Sequence, residues 1–303
     1  MAAYPERVDV QVLDGGLATE LEARGHDLSD GLWSARLLAD APGEIVAAHE
    51  AFFRAGADLA ITASYQASAE GFAARGIGRA EAERLLARSV ELAREAADRA
   101  GGGRVAASVG PYGAVLADGS EYRGRYGLSI GELVEFHRRR IGTLAAAGPD
   151  LIALETVPDV DEAVAELEAL DGIDVPAWLS YTVEGERTRA GQPLEEAFAV
   201  AAGDERVVAV GVNCCAPEDV PGAVGIAHAV TGKPVIAYPN SGHGWDAAAR
   251  QWAGRATFSP DEVISWIEAG ARLVGGCCRV RPAEIAEITR IVRDYRSSPD
   301  RGH

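Results

Sequence analysis

The feature that most constrains this chain is a regular alternation of short apolar segments with longer amphipathic segments. Eight short segments are apolar at nearly every position, as strands are when helices cover both faces of a parallel sheet. The predicted strands are Val8–Leu13, Asp58–Thr62, Arg104–Val109, Asp150–Leu154, Pro176–Tyr181, Val207–Val212, Pro234–Tyr238 and Arg272–Val274. Helical spacing between them predicts helices at Glu81–Ala100, Gly131–Ala147, Val160–Leu170, Leu194–Ala202, Pro217–Ala229, Pro260–Ala269 and Pro282–Tyr295.

Three phrases repeat the same order of helix end, turn and strand. They read AGADLAIT at 55–62, AGPDLIALET at 147–156 and AGARLVGG at 269–276. In each phrase a glycine follows the last helical alanine, and glycine there can take the left-handed conformation that ends a helix. We interpret the phrases as copies of one helix–turn–strand unit. A serine followed by proline, at Ser259-Pro260, predicts the start of another helix.

These repeated units predict an α/β fold. Eight strand–helix units in 303 residues fit a single-domain (β/α)₈ TIM barrel across residues 1–303. The alternative is an open, doubly wound sheet, which would carry a G-x-G-x-x-G turn after its first strand. Here Leu13 is followed by Asp14-Gly15-Gly16, which does not match that turn, so the barrel is favoured.

Charge and hydropathy narrow the function classes. The chain has 46 acidic and 29 basic residues, and its net charge of −17 disfavours nucleic acid and anionic lipid as partners. No apolar run approaches the length of a membrane span, and residues 1–12 lack a signal-peptide pattern. We therefore expect a cytoplasmic protein that acts on small molecules. The one basic cluster, Arg138–Arg140, is expected to be a solvated helix face.

Chemically distinctive residues follow the predicted strands, at the end of the barrel where active sites lie. Asp14 follows strand one, Glu155 strand four, Cys214 strand six, and Cys277 and Cys278 strand eight. Strands six and eight are near neighbours around the barrel, so these thiolates can converge. Three thiolates would fill three positions of a tetrahedral zinc site and leave the fourth open, as catalytic zinc sites do.

Other interpretations of these residues stay open. Cys277 and Cys278 can instead form a redox pair or pack in the core, and Cys215 is expected to point away from the barrel mouth and pack. Asp14 and Glu155 suit a substrate ammonium, but they can also be salt-bridged or helix-capping carboxylates. Since a zinc-bound thiol ionises at neutral pH and can attack a methyl group, methylation of a thiol substrate is the favoured chemistry.

Aromatic and polar residues near the same rim are candidates for contacts with a methyl donor. Rings can surround a cationic donor, although each ring can equally anchor a loop. The candidates are Trp33, Tyr65, Tyr112, Tyr122 and Asn240, with Tyr126 as a further ring. His243 is a weaker candidate as a metal ligand, because three cysteines already suffice.

The chain resembles the homocysteine S-methyltransferase family nearly from end to end. The motifs that carry the resemblance are LDGGLATELEARG at 13–25, ITASYQAS at 61–68, GPYGAVLADGSEYRG at 110–124, LIALET at 151–156, GVNC at 211–214, YPNSG at 238–242 and GGCCR at 275–279. The combination of GVNC with GGCCR is specific, whereas neither motif alone would be. Cys215 departs from the usual pattern after GVNC, so no role is carried onto it.

The resemblance implies a (β/α)₈ barrel that binds zinc through Cys214, Cys277 and Cys278. Homocysteine would supply the fourth ligand as its thiolate, and the family's homocysteine-binding acids fall on Asp14 and Glu155. ASYQA and ADGSEYRG look like the branch that takes the methyl group from a sulfonium donor, S-methylmethionine and in some members S-adenosylmethionine. A betaine or selenocysteine methyltransferase of the same family, and a zinc-storage or thiol-redox protein, are the alternatives.

Overall fold

The computed structural model describes residues 10–28, 32–246 and 251–297, without the side chains of Trp33, 244–246 and 251–253. Eight parallel strands form one sheet in the order β1-β8-β7-β6-β5-β4-β3-β2. The strands are β1 Gln11–Val12, β2 Leu59–Ile61, β3 Arg104–Val109, β4 Leu151–Val157, β5 Ala177–Tyr181, β6 Val207–Asn213, β7 Val235–Tyr238 and β8 Ala271–Val274. A parallel bridge between Leu13, directly after β1, and Leu59 of β2 joins the two ends of this sheet. The sheet is therefore closed, which confirms the barrel and excludes the open sheet.

A long helix follows each strand and packs outside the barrel. These helices are α1 Pro42–Arg54, α2 Arg79–Ala100, α3 Ile130–Ala146, α4 Val160–Ala169, α5 Leu194–Ala202, α6 Val220–Thr231, α7 Val263–Ala269 and α8 Pro282–Ser297. Shorter helices at Leu17–Ala23, Leu37–Asp40, Ala69–Ala73 and Tyr112–Leu116 lie in the loops after β1, β2 and β3. Two small hairpins, Val183–Glu184 with Arg187–Thr188 and Gly244–Asp246 with Gln251–Ala253, follow β5 and β7. Among the described residues, no helix is both long enough and apolar enough to cross a membrane.

The predicted helix ends are confirmed. Gly56, Gly148 and Gly270 all have positive φ and follow helices α1, α3 and α7. At Gly56 the requirement for glycine is twofold, since φ is 100° and an added Cβ would lie 2.6 Å from the Thr289 side chain. Ser259 caps the turn before α7 through a reciprocal bond pair with Glu262, as the Ser-Pro signal predicts.

The inside of the barrel is filled in two layers. Ten buried residues form the lower layer, including Leu13, Leu59, Trp178, Ile236 and Leu273. Because side chains alternate along a strand, further inward residues beyond this layer lie at the mouth of the barrel. These residues are polar and buried: Ser108, Glu155, Ser180 and Asn213. The apolar layer therefore forms a rigid floor beneath a polar layer at the catalytic end.

Two sequence predictions need correction. Strand β4 extends to Val157, so Glu155 lies within the strand and does not follow it. Its pairing with β5 is irregular between Leu154 and Val157, because Thr156 takes a left-handed φ of 60°. Arg140 is not part of a solvated face: it is 3% exposed, and its guanidinium donates to the carbonyl oxygens of Gly110 at 2.9 Å and Tyr65 at 3.0 Å.

Candidate metal centre and active-site cavity

A cavity of about 130 Å³ opens at the carboxyl ends of the strands. Its walls come from the loops after β1, β2, β3, β6 and β8, and from the ends of strands β2, β4 and β7. The chemically active residues in its lining are Tyr65, Glu121, Tyr122, Glu155, Tyr238, Cys214, Cys277 and Cys278. The sequence-predicted cysteines and one of the two predicted carboxylates therefore share a single cavity.

The three cysteines form the one group among the described residues with the spacing of a metal site. Their Sγ atoms all lie within 4.8 Å of one another. Cys214 directly follows strand β6, and Cys277 and Cys278 follow β8. The Cys214 and Cys277 sulfurs are paired as a disulfide and the Cys278 thiol is free, so the adjacent pair expected for a redox motif is not the pair in contact.

Backbone contacts hold the cysteine loops against strand β7. The Cys277 N–H donates to the carbonyl of Pro239 at 2.7 Å, and the Cys278 N–H donates to the side-chain oxygen of Asn240 at 3.0 Å. Gly275 lets this loop approach the first strand, since an added Cβ would lie 2.6 Å from the Leu13 Cβ. Asn240, a candidate donor contact from the sequence, is thus a group that orients Cys278, and it is absent from the cavity lining.

The cysteine cluster lies in a negative, poorly solvated environment. Burial, with a smaller contribution from the nearby carboxylates of Glu22, Glu155 and Glu121, raises the pKa of the Cys278 thiol to about 12. Thiolates here therefore require a positive charge to stabilise them, which a bound metal cation supplies. Cys215 packs in the apolar core at 3% exposed, and burial raises its pKa as well, so it stays a neutral packing residue as predicted.

Asp14 is buried beneath the cavity with one oxygen unpaired. Its Oδ2 accepts a hydrogen bond from the Ile61 N–H at 2.9 Å, while Oδ1 is buried and has no partner. Burial raises the pKa of this carboxyl well above its usual value, and the Glu155 charge adds to the shift. An unpartnered buried carboxylate oxygen is costly, so Asp14 is poised to accept a hydrogen bond from a ligand.

Glu155 presents its carboxylate inside the barrel mouth. Its two oxygens accept hydrogen bonds from the Ser108 hydroxyl and, at 3.1 Å, from the Tyr238 hydroxyl. Burial raises the pKa of Glu155 to about 7 although both hydroxyl bonds lower it. Within the described ranges neither Glu155 nor Asp14 has a salt bridge or caps a helix. The alternatives of a salt-bridged or a helix-capping carboxylate are therefore excluded for both residues.

Asn213 links the cysteine strand to the glutamate strand. Its Oδ1 accepts from the Thr156 N–H at 2.7 Å and from the Ser180 hydroxyl at 2.8 Å, and its Nδ2 donates to the Thr156 hydroxyl at 2.7 Å. Thr156 is β-branched and has a positive φ, a conformation that persists only where surrounding contacts impose it. Asn213 therefore fixes the backbone beside Glu155, a role that its place at the end of an apolar strand does not reveal from the sequence.

The candidate donor residues divide between the cavity and its surroundings. Tyr65 and Tyr122 line the cavity. Tyr112 does not line it, because its ring packs against Tyr126 and Phe136 with centroids 5.3 and 5.0 Å apart. The Tyr126 hydroxyl donates to Glu162, away from the cavity. The side chain of Trp33 is outside the described part of the chain. The ring of His243 pairs with the Ser241 hydroxyl at 2.7 Å.

Comparisons with known proteins assign the chain to a family. The family model described as homocysteine S-methyltransferase matches residues 11–292. Homocysteine S-methyltransferase 4 of Zea mays is 50% identical, covering 93% of this chain and 89% of the relative. Homocysteine S-methyltransferase of Escherichia coli strain K12 is 45% identical, covering 95% of this chain and 97% of the relative.

Solved structures agree with the sequence relatives. The metallated form of the homocysteine methyltransferase MmuM from Escherichia coli has a TM-score of 0.85 at 45% identity, covering 93% of this chain and 96% of that one. The oxidized form of the same protein has a TM-score of 0.85 at 46% identity, with the same coverage. Both the family match and these structures span the strands that carry the cysteines and Glu155. The chain is therefore an enzyme of the homocysteine S-methyltransferase family.

Proposed function

We propose that this enzyme transfers a methyl group from S-methylmethionine to homocysteine, using a zinc ion held by Cys214, Cys277 and Cys278. The observation that carries the proposal is the convergence of three cysteine sulfurs within 4.8 Å in the wall of a cavity that also contains Glu155. Sulfurs bound to one zinc at about 2.3 Å each stand roughly 3.8 Å apart in a tetrahedral site, so three sulfurs within 4.8 Å of one another can reach one ion once the Cys214–Cys277 pair is reduced.

The donor set also supports zinc over other metals. Thiolate ligands favour soft or borderline ions, and three protein ligands with one open position are typical of catalytic zinc. Bound there, zinc would supply a Lewis acid that lowers the pKa of a substrate thiol in the fourth position. The protein's own contribution is to bind and orient both substrates and to keep the thiol sulfur in line with the donor's methyl group.

Homocysteine has an ammonium group that needs a negative partner. The carboxylate of Glu155 in the cavity wall and the unpaired Oδ1 of Asp14 buried beneath the cavity provide two acceptors. The bonds from Ser108 and Tyr238 hold Glu155 in place, and each carboxylate oxygen retains capacity to accept a further hydrogen bond. We propose that these two acids bind the ammonium and so direct the thiol toward the cysteine cluster.

The reaction then needs no general acid. The homocysteine thiol loses its proton to solvent, and the sulfur lone pair forms a bond to the methyl carbon of the donor. The bond between that carbon and the sulfonium sulfur breaks, and its electron pair stays on the leaving sulfur as a neutral thioether. Two methionine molecules result, one from each substrate, and the catalytic effect comes from positioning and desolvation.

The cavity favours S-methylmethionine over the other donors. Its volume of about 130 Å³ leaves less room for the bulkier S-adenosylmethionine than for S-methylmethionine. The described residues that line it include no lysine, arginine or histidine. Glycine betaine carries its carboxylate one carbon from its cation, so binding it would bring that carboxylate against the thiolates and Glu121. In S-methylmethionine the carboxylate is three carbons away from the sulfonium.

A thiol-redox function is the second candidate, because the Cys214 and Cys277 sulfurs are paired. A permanent disulfide would remove two of the three metal ligands. A reducing cytoplasm, which we propose as the location, keeps such thiols reduced and available to a metal.

A donor panel tests the proposed function. The reduced, zinc-loaded enzyme is incubated with homocysteine and each of S-methylmethionine, S-adenosylmethionine and glycine betaine at matched concentration, and methionine is quantified. We expect S-methylmethionine to give the highest kcat/KM, and chelation of the metal to abolish turnover. A preference for betaine, or full turnover by metal-free enzyme, would contradict the proposal.

A further inference from the structure

The loop of residues 118–126 carries several charged and aromatic side chains. Some of them are exposed to solvent, and others line the cavity. Asp118 is exposed, and its Oδ1 accepts hydrogen bonds from the N–H and hydroxyl of Ser120. Arg123 is exposed and donates to the Ser120 hydroxyl at 2.9 Å. In this loop only Glu121 and Tyr122 line the cavity. Glu121 is 8% exposed, and its Oε2 is buried with no hydrogen-bond partner.

The loop holds Glu121 in a fixed position. The short helical turn Ser120–Tyr122 rests directly on Gly113, where an added Cβ would lie 2.5 Å from the Glu121 nitrogen. Arg189 donates to the Tyr122 carbonyl at 3.3 Å, and its guanidinium lies 6.0 Å from the Tyr122 ring centroid. Further along, the N–H of Arg125 donates to a carboxylate of the loop after β4. The carboxylate of Glu121 is therefore presented to the cavity by a well-anchored turn.

The unpaired oxygen of Glu121 implies a ligand. A buried carboxylate oxygen without a partner is costly, and such groups in native structures call for a functional explanation. The lining offers no basic side chain among the described residues, so a cation that enters from solution would supply the charged partner that this oxygen lacks. The homocysteine ammonium is already matched by Asp14 and Glu155 at the strand ends, which leaves the methyl donor as the cation for Glu121.

The position of Glu121 fits the donor's sulfonium. Glu121 lines the same cavity as the rings of Tyr65 and Tyr122 and the cysteine cluster. A donor must place its methyl group in that region, because the methyl carbon has to reach a thiol sulfur bound beside Cys278.

On the basis of the proposed function, we infer that Glu121 is a specificity-determining residue that selects a cationic donor by placing its carboxylate beside the sulfonium. The attraction exists before transfer and disappears afterwards, since the donor leaves as neutral methionine. Glu121 thus strengthens donor binding and does not stabilise the transition state further, because the positive charge is already dispersing there. Its loss should raise the donor KM and leave kcat undiminished.

The test compares Glu121→Gln with Asp118→Asn, a matched control that removes one carboxylate from the exposed side of the same loop. For Glu121→Gln we expect the KM for S-methylmethionine to rise roughly 10- to 100-fold, as for loss of a charge-assisted contact, with kcat, homocysteine KM and zinc content retained. Calorimetric titration of the zinc-loaded enzyme supplies a second readout. Wild type should bind S-methylmethionine more tightly than methionine, and Glu121→Gln should lose most of that preference. Asp118→Asn should resemble wild type in both measurements.

Two outcomes would overturn the inference. One is an unchanged preference for S-methylmethionine over methionine in Glu121→Gln, and the other is an equal loss of kcat and homocysteine affinity, which would indicate a purely structural role. Failure of the proposed function gives a different result. Wild type would then form no methionine from S-methylmethionine, and it would not bind S-methylmethionine more tightly than methionine.

Discussion

The hydrogen bonds that Asn213 makes to Thr156, called the clamp below, lead to a quantitative prediction. Replacing Asn213 by alanine removes three buried hydrogen bonds, two to Thr156 and one to Ser180, with lengths of 2.7, 2.7 and 2.8 Å. Each is worth roughly 0.5–1.5 kcal/mol net, and the Thr156 N–H would be left buried without a partner at a cost of roughly 1–3 kcal/mol. We expect Asn213→Ala to lower the free energy of unfolding by about 3–5 kcal/mol.

The same change should weaken homocysteine binding. Without the clamp, Thr156 is free to leave its left-handed conformation, and the adjacent Glu155 carboxylate loses its fixed direction. Because positioning errors near 1 Å can cost about 100-fold in rate, we expect kcat/KM for homocysteine to fall by at least tenfold.

Denaturant unfolding and steady-state kinetics measure these two effects. Ser89→Ala is the control, since the Ser89 hydroxyl is buried and makes one bond, at 2.7 Å to the Leu86 carbonyl, on helix α2 far from the cavity. It should cost about 1 kcal/mol and leave the kinetics unchanged. A loss below about 1 kcal/mol in Asn213→Ala, or wild-type homocysteine kinetics in that variant, would refute the role assigned to the clamp.

Two further predictions concern buried titratable groups. Asp14→Asn and Glu155→Gln should each weaken homocysteine binding by about 1.5–3 kcal/mol while keeping the metal, measured by calorimetry with metal analysis; unchanged affinity in both would rule out ammonium binding by these acids. His49 is fully buried with both ring nitrogens unpartnered, and burial lowers its pKa to about 4. The unfolded state therefore binds more protons than the folded state below pH 6.5. The free energy of unfolding should fall by about 3 kcal/mol as the pH decreases from 6.5 to 4. His49→Leu should lose much of this dependence, as measured by denaturant titrations at several pH values. Equal pH dependence in wild type and His49→Leu would contradict this explanation.

The sequence was most informative where chemistry and periodicity coincide. Alternating apolar and amphipathic segments are enough to predict the barrel, and the rule that active sites lie at the strand ends brings Cys214 near Cys277 and Cys278 before any coordinates are known. The residues that form the polar layer were harder to predict from the sequence. Ser108 and Asn213 look like ordinary strand residues, and only their inward positions beyond the apolar layer distinguish them.

Residues in the loops and on the helices were harder to assign. Tyr112 and Tyr122 have the same chemistry and both follow β3, but one packs outside the cavity and the other lines it. That difference depends on how the turn at Ser120–Tyr122 rests on Gly113, which local sequence does not specify. Arg140 belongs to a basic cluster, and only the tertiary contacts with two carbonyl oxygens show that it is buried.

Metal analysis combined with activity tests the central claim most directly. Zinc content and methionine formation from homocysteine and S-methylmethionine are measured for wild type, for each of Cys214→Ser, Cys277→Ser and Cys278→Ser, and for Cys215→Ser as the matched control from the apolar core. We expect about one zinc per chain in wild type and Cys215→Ser, as one three-thiolate site requires, and loss of both zinc and turnover in the other three variants. Full zinc content in Cys277→Ser, or methionine formation by that variant at the wild-type rate, would contradict the account.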